Sequence, residues 1–258
     1  GVPFIGAQPV DLDMIPISAI DHVEVLRDGA SAQYGSDAVA GVVNIVLKER
    51  DSGGQINTQL GQYAQGDGFN KSADGWYGIG LPGDGFLTLS FNGVNAKPTD
   101  IGDKYVADGK VQDPRWGGAG RDKYNLAANA EVGLNDQWRL YSFATFGQDK
   151  SVNNTPPLLA SNPNNVAAIY PNGTIPKYRF RYEDASLTMG SRFEDEAIGR
   201  LDISATYGRD KHDEVAFDTV NPSYGANSPT KFDVATLINE QTNVGIDLSL
   251  IHISEPTR

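Results

Sequence analysis

From Gln55 onward the chain alternates between apolar and small or polar positions. In residues 124–134 one parity carries Tyr124, Leu126, Ala128, Ala130, Val132 and Leu134, and the other Asn125, Ala127, Asn129, Glu131 and Gly133. The same period of two runs through 55–63 (Ile56, Thr58, Leu60), 85–95 (Leu87, Leu89, Phe91), 199–210 (Leu201, Ile203, Ala205, Tyr207) and 243–247 (Val244, Ile246). Successive side chains of a strand point to opposite faces, so each stretch predicts a strand with one apolar face. Residues 137–148 and 186–193 keep the period less cleanly. Tyr141 and Phe143 fall opposite Trp138, Leu140, Ala144 and Phe146, and Ser191 interrupts Leu187, Met189 and Phe193.

The first fifty residues have a different texture. Pro16 predicts the start of a short helix over 17–20, and 22–27 alternates as a strand. Asp28-Gly29 predicts a turn, and 30–34 a helical turn that Gly35 ends. Residues 41–48 predict a second strand, apolar enough to be covered on both faces. Charged residues 48–51 followed by Ser52, Gly53 and Gly54 read as a boundary.

Connection lengths between the later strands alternate. Residues 81–85, 133–136 and 194–198 are short, whereas 97–123, 149–181 and 211–240 are long and polar, and 64–74 exceeds a tight turn. Antiparallel strands return to the same side at every second connection, so the long segments are expected on one rim and the short turns on the other. An ordinary antiparallel sheet with one wet face carries this pattern, and so does a transmembrane barrel with short turns on one rim and long loops on the other. Trp76, Tyr124, Trp138, Phe146 and Tyr207 sit near predicted strand ends, as interfacial anchors in a barrel or as cross-strand packing partners in a soluble sheet.

Composition narrows the function more than the fold. The 258 residues hold 33 acidic and 21 basic side chains, a net charge of −12, which argues against a nucleic-acid partner that would need a basic surface. There is no cysteine, which excludes thiolate catalysis and thiolate metal sites. The longest apolar run, 38–47, is far short of the ~20 residues of a membrane helix. Catalytic patterns are missing. His22, His212 and His252 form no metal-binding HExxH, Asp11 and Asp13 have no companions at metal-loop spacing, and Ser18, Ser31 and Ser36 lack a nucleophile context. The expectation is a protein that is not an enzyme and uses no cofactor or metal.

One stretch carries a specific resemblance. Ile15-Pro16, Ile20-Asp21, 23–29 (Val-Glu-Val-Leu-Arg-Asp-Gly), 32–35 (Ala-Gln-Tyr-Gly) and 40–45 (Ala-Gly-Val-Val-Asn-Ile) resemble the closing half of the plug domain of TonB-dependent outer-membrane receptors. The later segments resemble, by pattern, the first strands of that family's 22-stranded barrel. The resemblance implies a mixed α/β plug fragment over 1–50, then antiparallel strands of an incomplete transmembrane barrel, about 8 of 22, over 51–247. It also implies a signal peptide, coupling box (TonB box) and first plug half upstream, and more barrel downstream. Glu24 and Arg27 are then plug-to-barrel polar contacts. Gly29, Gly35 and Gly41 are turn or close-approach positions, and Asn44 is a satisfied amide within an apolar strand.

The function implied is gated uptake of a scarce nutrient across the cell outer membrane. The ligand would be a siderophore, cobalamin or oligosaccharide, and the partners a TonB-type energy-transducing protein in the periplasm and outer-membrane lipid. The alternative is a soluble β-rich module that binds a glycan or protein. Residues 248–258 (LSLIHISEPTR) resemble the translation of a sequencing-library adapter, so His252 and Glu255 are given no role.

Overall fold

The computed structural model describes residues 12–27, 41–102, 104–112, 115–197 and 199–250. Two short 3-10 turns, Leu12–Met14 and Ile17–Ala19, lead into β1 (Ile20–Arg27), which pairs antiparallel with β2 (Gly41–Leu47). The predicted helix over 17–20 is thus a single 3-10 turn, and Ile20 already belongs to the strand. Proline and the β-branched Ile17 and Ile20 give such a short segment little to gain from a full α-helix, whose nucleation is costly. Strand β2 is not covered on both faces, because Val43 is 61% exposed. The turn expected at Asp28-Gly29 and the helical turn at 30–34 lie outside the described residues.

The rest is one eight-stranded antiparallel sheet. Its strands are β3 (Gly54–Gly61), β4 (Asn70–Leu81), β5 (Gly85–Ala96), β8 (Gly120–Gly133), β9 (Trp138–Asn154), β10 (Lys177–Asp195), β11 (Gly199–Phe217) and β12 (Lys231–Leu250). A small hairpin, β6 (Tyr105–Ala107) with β7 (Lys110–Gln112), sits in the β5–β8 connection. Strands neighbour each other in chain order, β3 and β12 form the two edges, and the sheet is open rather than a closed barrel. This is the expected antiparallel architecture, with 3-10 turns as the helical content of the described residues.

Connections 62–69, 97–119, 155–176 and 218–230 share one rim, and 82–84, 134–137 and 196–198 share the other. At 82–84 the chain reverses through left-handed Gly83 (φ 67°) and Asp84 (φ 51°), residue types that adopt this region at least cost. The loops on the first rim are shorter than the sequence suggests, because β9–β12 run on through polar residues. Nineteen residues at ~3.3 Å each extend about 60 Å, whereas 9–11 tilted residues cross a bilayer core. These strands are therefore longer than a bilayer core requires, and on β9 the added length lies beyond Phe146, toward the loop rim.

The polarity of the sheet is inverted relative to a soluble core. Thr88 (2% exposed), Asn125 (1%) and Thr188 (5%) are buried, while Leu89 (44%), Leu126 (52%), Met189 (59%), Val244 (73%) and Ile246 (69%) are exposed. Hydrophobic side chains gain by leaving water and polar ones lose by it. This distribution therefore suits an apolar medium outside and a polar filling inside.

Candidate functional site

The buried polar face is the one that meets the chain's first fifty residues. Asn125 Nδ2 donates to the Asp13 carbonyl at 2.7 Å, and Ser18 Oγ donates to the Phe91 carbonyl at 2.8 Å. Asn129 Nδ2 donates to the Lys48 carbonyl at 3.1 Å, and the Arg50 amide donates to Thr88 Oγ1 at 2.8 Å. Glycines let backbone approach here. A Cβ on Gly147 would come within 2.8 Å of Met14 Sδ, and one on Gly78 within 2.7 Å of the Arg50 carbonyl. In register, the contacts of residues 13 and 18 lie on adjacent levels nearer the loop side, and those of 48 and 50 share one level, the Thr88–Asn129 pair, nearer the turn side.

One ionic cluster stands at the upper end. Arg121 donates Nε to Asp149 at 2.5 Å and a terminal nitrogen to Asp13 at 3.0 Å, and Lys123 lies 3.6 Å from Asp13. The Arg121 hydrogen bond, with the charge of Lys123 next, holds the Asp13 carboxyl below its ordinary range. The Asp149 side chain is 8% exposed, and its Oδ1 has no hydrogen-bond partner among the described residues. At the lower end Lys48 Nζ donates to the carbonyls of Ser18 (2.8 Å) and Ile20 (2.6 Å), closing the 3-10 turn onto the end of β2. Desolvation lowers the Lys48 ammonium pKa. Arg50 bonds Asp21 at 3.1 Å.

The residues singled out in the sequence sit as follows. Glu24 and Asn44 face each other across β1 and β2, and Asn44 Nδ2 donates to Glu24 Oε2 at 2.8 Å. His22 lies 3.4 Å from Glu24 and 3.0 Å from Asp21. The Asn44 bond, then the His22 contact, lower the Glu24 pKa, while Asp21 first and Glu24 second raise that of His22. Arg27 is exposed at the end of β1, opposite Gly41. Gly41 has φ +130°, and a Cβ there would meet the Leu26 carbonyl at 2.5 Å. Gly29 and Gly35 lie outside the described residues.

On β8, Asn125 and Asn129 bond the first fifty residues, and Glu131 pairs with Arg139 (3.0 Å) and Arg192 (3.4 Å) on the same inner face. Leu126, Ala128, Ala130 and Val132 take the opposite parity. Among the aromatics, Tyr124 and Phe146 (ring centroids 6.0 Å apart), and Trp138 with Phe193 (5.0 Å), lie on the outer face. Trp76 does not. Gly75 is the residue of β4 that pairs with outward Phe91, so Trp76 faces the inner side and Tyr77, 59% exposed, takes the outer one.

An inner-face group on the loop side was not singled out in the sequence. Tyr182 stacks on His212 at 4.3 Å, Phe180 lies 5.9 Å from His212, and Tyr178 stacks on Phe180 at 6.2 Å. His212 is 5% exposed. The signal for this shelf was present in residues 177–182, Lys-Tyr-Arg-Phe-Arg-Tyr, where aromatic and cationic residues alternate with a strand's period. Among the described residues no cluster of three or more His, Asp or Glu is arranged to hold a metal ion.

Comparison with known proteins agrees with the front of this arrangement. Residues 1–42 match the family model for the TonB-dependent Receptor Plug Domain. Among solved structures, the chain is similar to the siderophore receptor PiuA from Acinetobacter baumannii. The two share 14% identity with a TM-score of 0.38, over 88% of this chain and 43% of that one. The chain thus spans less than half the length of that receptor. It carries a plug-domain match over residues 1–42 and, beyond it, an open antiparallel sheet.

Proposed function

We propose that this chain is the plug-to-barrel junction of a TonB-dependent receptor in the cell outer membrane, which takes up a scarce nutrient such as a ferric siderophore by plug gating. The observation that carries the reading is the inverted sheet: apolar side chains exposed on one face, and a polar face hydrogen-bonded to the plug segment on the other. A soluble binding module gains nothing from exposing Leu126, Met189, Val244 and Ile246 to water. A barrel wall gains from turning them to lipid. From Trp138 to Phe146 the outer stripe runs about 26 Å along the strand at ~3.3 Å per residue, or roughly 20 Å in height at a tilt of about 35–45°, which lies within the ~25 Å apolar band of outer-membrane barrels.

In this reading the plug fills the lumen until a periplasmic TonB-type protein, energised from the inner membrane, pulls it. The shelf of Tyr178, Phe180, Tyr182 and His212 lies on the outside-facing approach to the plug, where a ligand would arrive. Glu24 and Arg27, exposed on β1, are the charges available to wall strands other than these eight. Two measurements on the complete protein test the reading. Spin labels at Leu126 and Val132 are expected to report lipid, and labels at Asn125 and Asn129 a polar, plug-contacting environment. Ligand binding by whole cells is expected to survive removal of the inner-membrane energy source while accumulation stops. Lipid-inaccessible labels at Leu126 and Val132 would overturn the membrane assignment, and equal accumulation without energy would indicate a passive pore.

A further inference from the structure

The strands that overshoot the apolar stripe carry a second outer-face feature. Above Phe146 on β9 the outward parity continues as Gln148, Lys150 and Val152, and on β10, reading toward the loop rim, as Glu183, Arg181, Arg179 and Lys177. Here lies a cavity of about 1440 Å³, roofed by parts of the 97–119 and 155–176 connections. Its strand-borne lining is mostly outward in parity, including Asp122, Lys150, Val152, Lys177, Arg179 and Phe217. The cavity therefore lies on the face of the sheet that carries the apolar stripe rather than on the face that meets the first fifty residues.

Its charge runs against that of the chain. Seven Lys and Arg line it against four Asp, while the whole chain has 21 basic and 33 acidic residues. Arg121 turns inward to Asp149 and Asp13, and Lys177 pairs with Asp218 at 2.8 Å. Lys150 and Arg179 have no ion pair among the described residues, and both contribute to the lining. By contrast, charges nearby on the same face are matched, as in Lys211 with Asp213 at 2.6 Å and Arg209 with Glu240 at 3.1 Å.

Height decides what this surplus meets. Lys150 stands four residues above Phe146 along β9, about 13 Å at ~3.3 Å per residue, and closer to the stripe once the strand is tilted. That is headgroup depth on the outside of the membrane. Basic pockets at that depth bind lipid phosphate, and arginine does so with paired donors.

We infer that this outer-face cavity binds the phosphorylated headgroup of an outer-leaflet glycolipid, with Lys150 and Arg179 as its phosphate contacts. The inference rests on the barrel reading above. The test uses the complete protein in detergent, with diphosphorylated lipid A and dephosphorylated lipid A as probes, and counts bound lipid by native mass spectrometry. Diphosphorylated lipid A is expected to bind at least tenfold more tightly, and the double variant Lys150→Gln, Arg179→Gln to lose that preference. The loss expected is about fivefold per charge, from ~1 kcal/mol per basic residue near a charged surface. Millimolar inorganic phosphate is expected to leave the lipid bound, and displacement would mean a free-phosphate site instead. Equal binding of the two lipids by the native protein, a comparison that needs no variant, would overturn the inference. So would full retention of the preference in the double variant. The spin labels at Leu126 and Val132 separate the failures. Lipid contact there without lipid A preference defeats the headgroup site alone, and its absence defeats the barrel reading.

Discussion

Replacing Arg121 with alanine should loosen the plug and the wall by different amounts. On the wall side the guanidinium is the cation bonded to Asp149, whose side chain is 8% exposed and whose Oδ1 has no hydrogen-bond partner among the described residues. Removing one partner of a buried pair costs about 3–5 kcal/mol, and of an exposed pair at most about 1. Arg121 is itself 38% exposed, so the wall contribution is expected nearer 2 kcal/mol, within the span of those two limits. On the plug side Asp13 is 61% exposed and keeps Lys123 at 3.6 Å. That tie should contribute about 0.5–1 kcal/mol.

The two contributions separate by assay in the complete protein. The thermal midpoint of the barrel reads the wall. Hydrogen exchange at the Ala19 and Lys48 amides, which bond the Pro16 and Ala19 carbonyls, reads the plug. The expected outcome for Arg121→Ala is a lowered midpoint and plug exchange faster by about two- to fivefold, since 1.4 kcal/mol is tenfold. A double-mutant cycle with Asp13→Asn should show coupling in the exchange rates. Strictly additive effects would refute the tie between Asp13 and Arg121, and an unchanged midpoint would refute the claim that Asp149 depends on it.

Three further outcomes follow from the same geometry. His22 is raised above its usual 6.5, by Asp21 first and Glu24 second; its contribution to the hairpin is full below the unfolded pKa and is lost as pH rises through the folded one. An NMR titration should place its midpoint above 6.5, and Asp21→Asn should lower it more than Glu24→Gln does. Lys48→Met removes the donor to the Ser18 and Ile20 carbonyls, and should speed exchange at the Ala19 amide by an amount equivalent to about 1–3 kcal/mol. Gly190→Val drives a side chain into the Tyr141 ring, so ultraviolet resonance Raman of Tyr141 should report loss of its 2.6 Å bond to Asp202.

The period of two made the sheet's faces legible in advance, because parity is fixed wherever a strand is regular. Asn125 and Leu126 are on opposite faces in the sequence and in the structure alike. Strand ends were not legible. Residues 149–154, 177–181 and 211–217 mix charged residues with scattered apolar ones such as Val152, Phe180 and Val215, so the one-sided apolar signal stops while the ladder continues, held in part by same-face pairs such as Lys211 with Asp213. Trp76 was picked out by its place near a predicted strand end, whereas its parity against Gly75 and Phe91 decides its face. The tie between Asp13 and Arg121 spans 108 positions, and no local pattern encodes it. It follows from how the plug segment docks across β8 and β9, which only the fold supplies. Glu24 could be picked out as a charge needing a partner, but the partner, Asn44, follows from the register of β1 on β2.

The composition of the plug-to-wall interface bears on how such a gate could work. Met14, Pro16 and Ala19 are the well-buried apolar residues of the described plug segment, so little apolar surface becomes exposed when it leaves the wall. Its ties are mostly hydrogen bonds to carbonyls and amides: Ser18 to Phe91, Asn125 to Asp13, Asn129 to Lys48, Arg50 to Thr88. A hydrogen bond exchanged for one to water changes the free energy by only about 0.5–1.5 kcal/mol, so each tie can be replaced as it breaks. A core of interlocked hydrophobic side chains would have to separate as a unit against the full cost of exposing it to water. Because the ties meet the wall at separate levels, Asn125 and Phe91 nearer the loop side and the Thr88–Asn129 pair nearer the turn side, a pull on the plug segment from one end would load them unequally. In the proposed receptor, the same polarity that would turn the wall's apolar face to lipid would leave its other side, held to the plug by hydrogen bonds, releasable by a modest force.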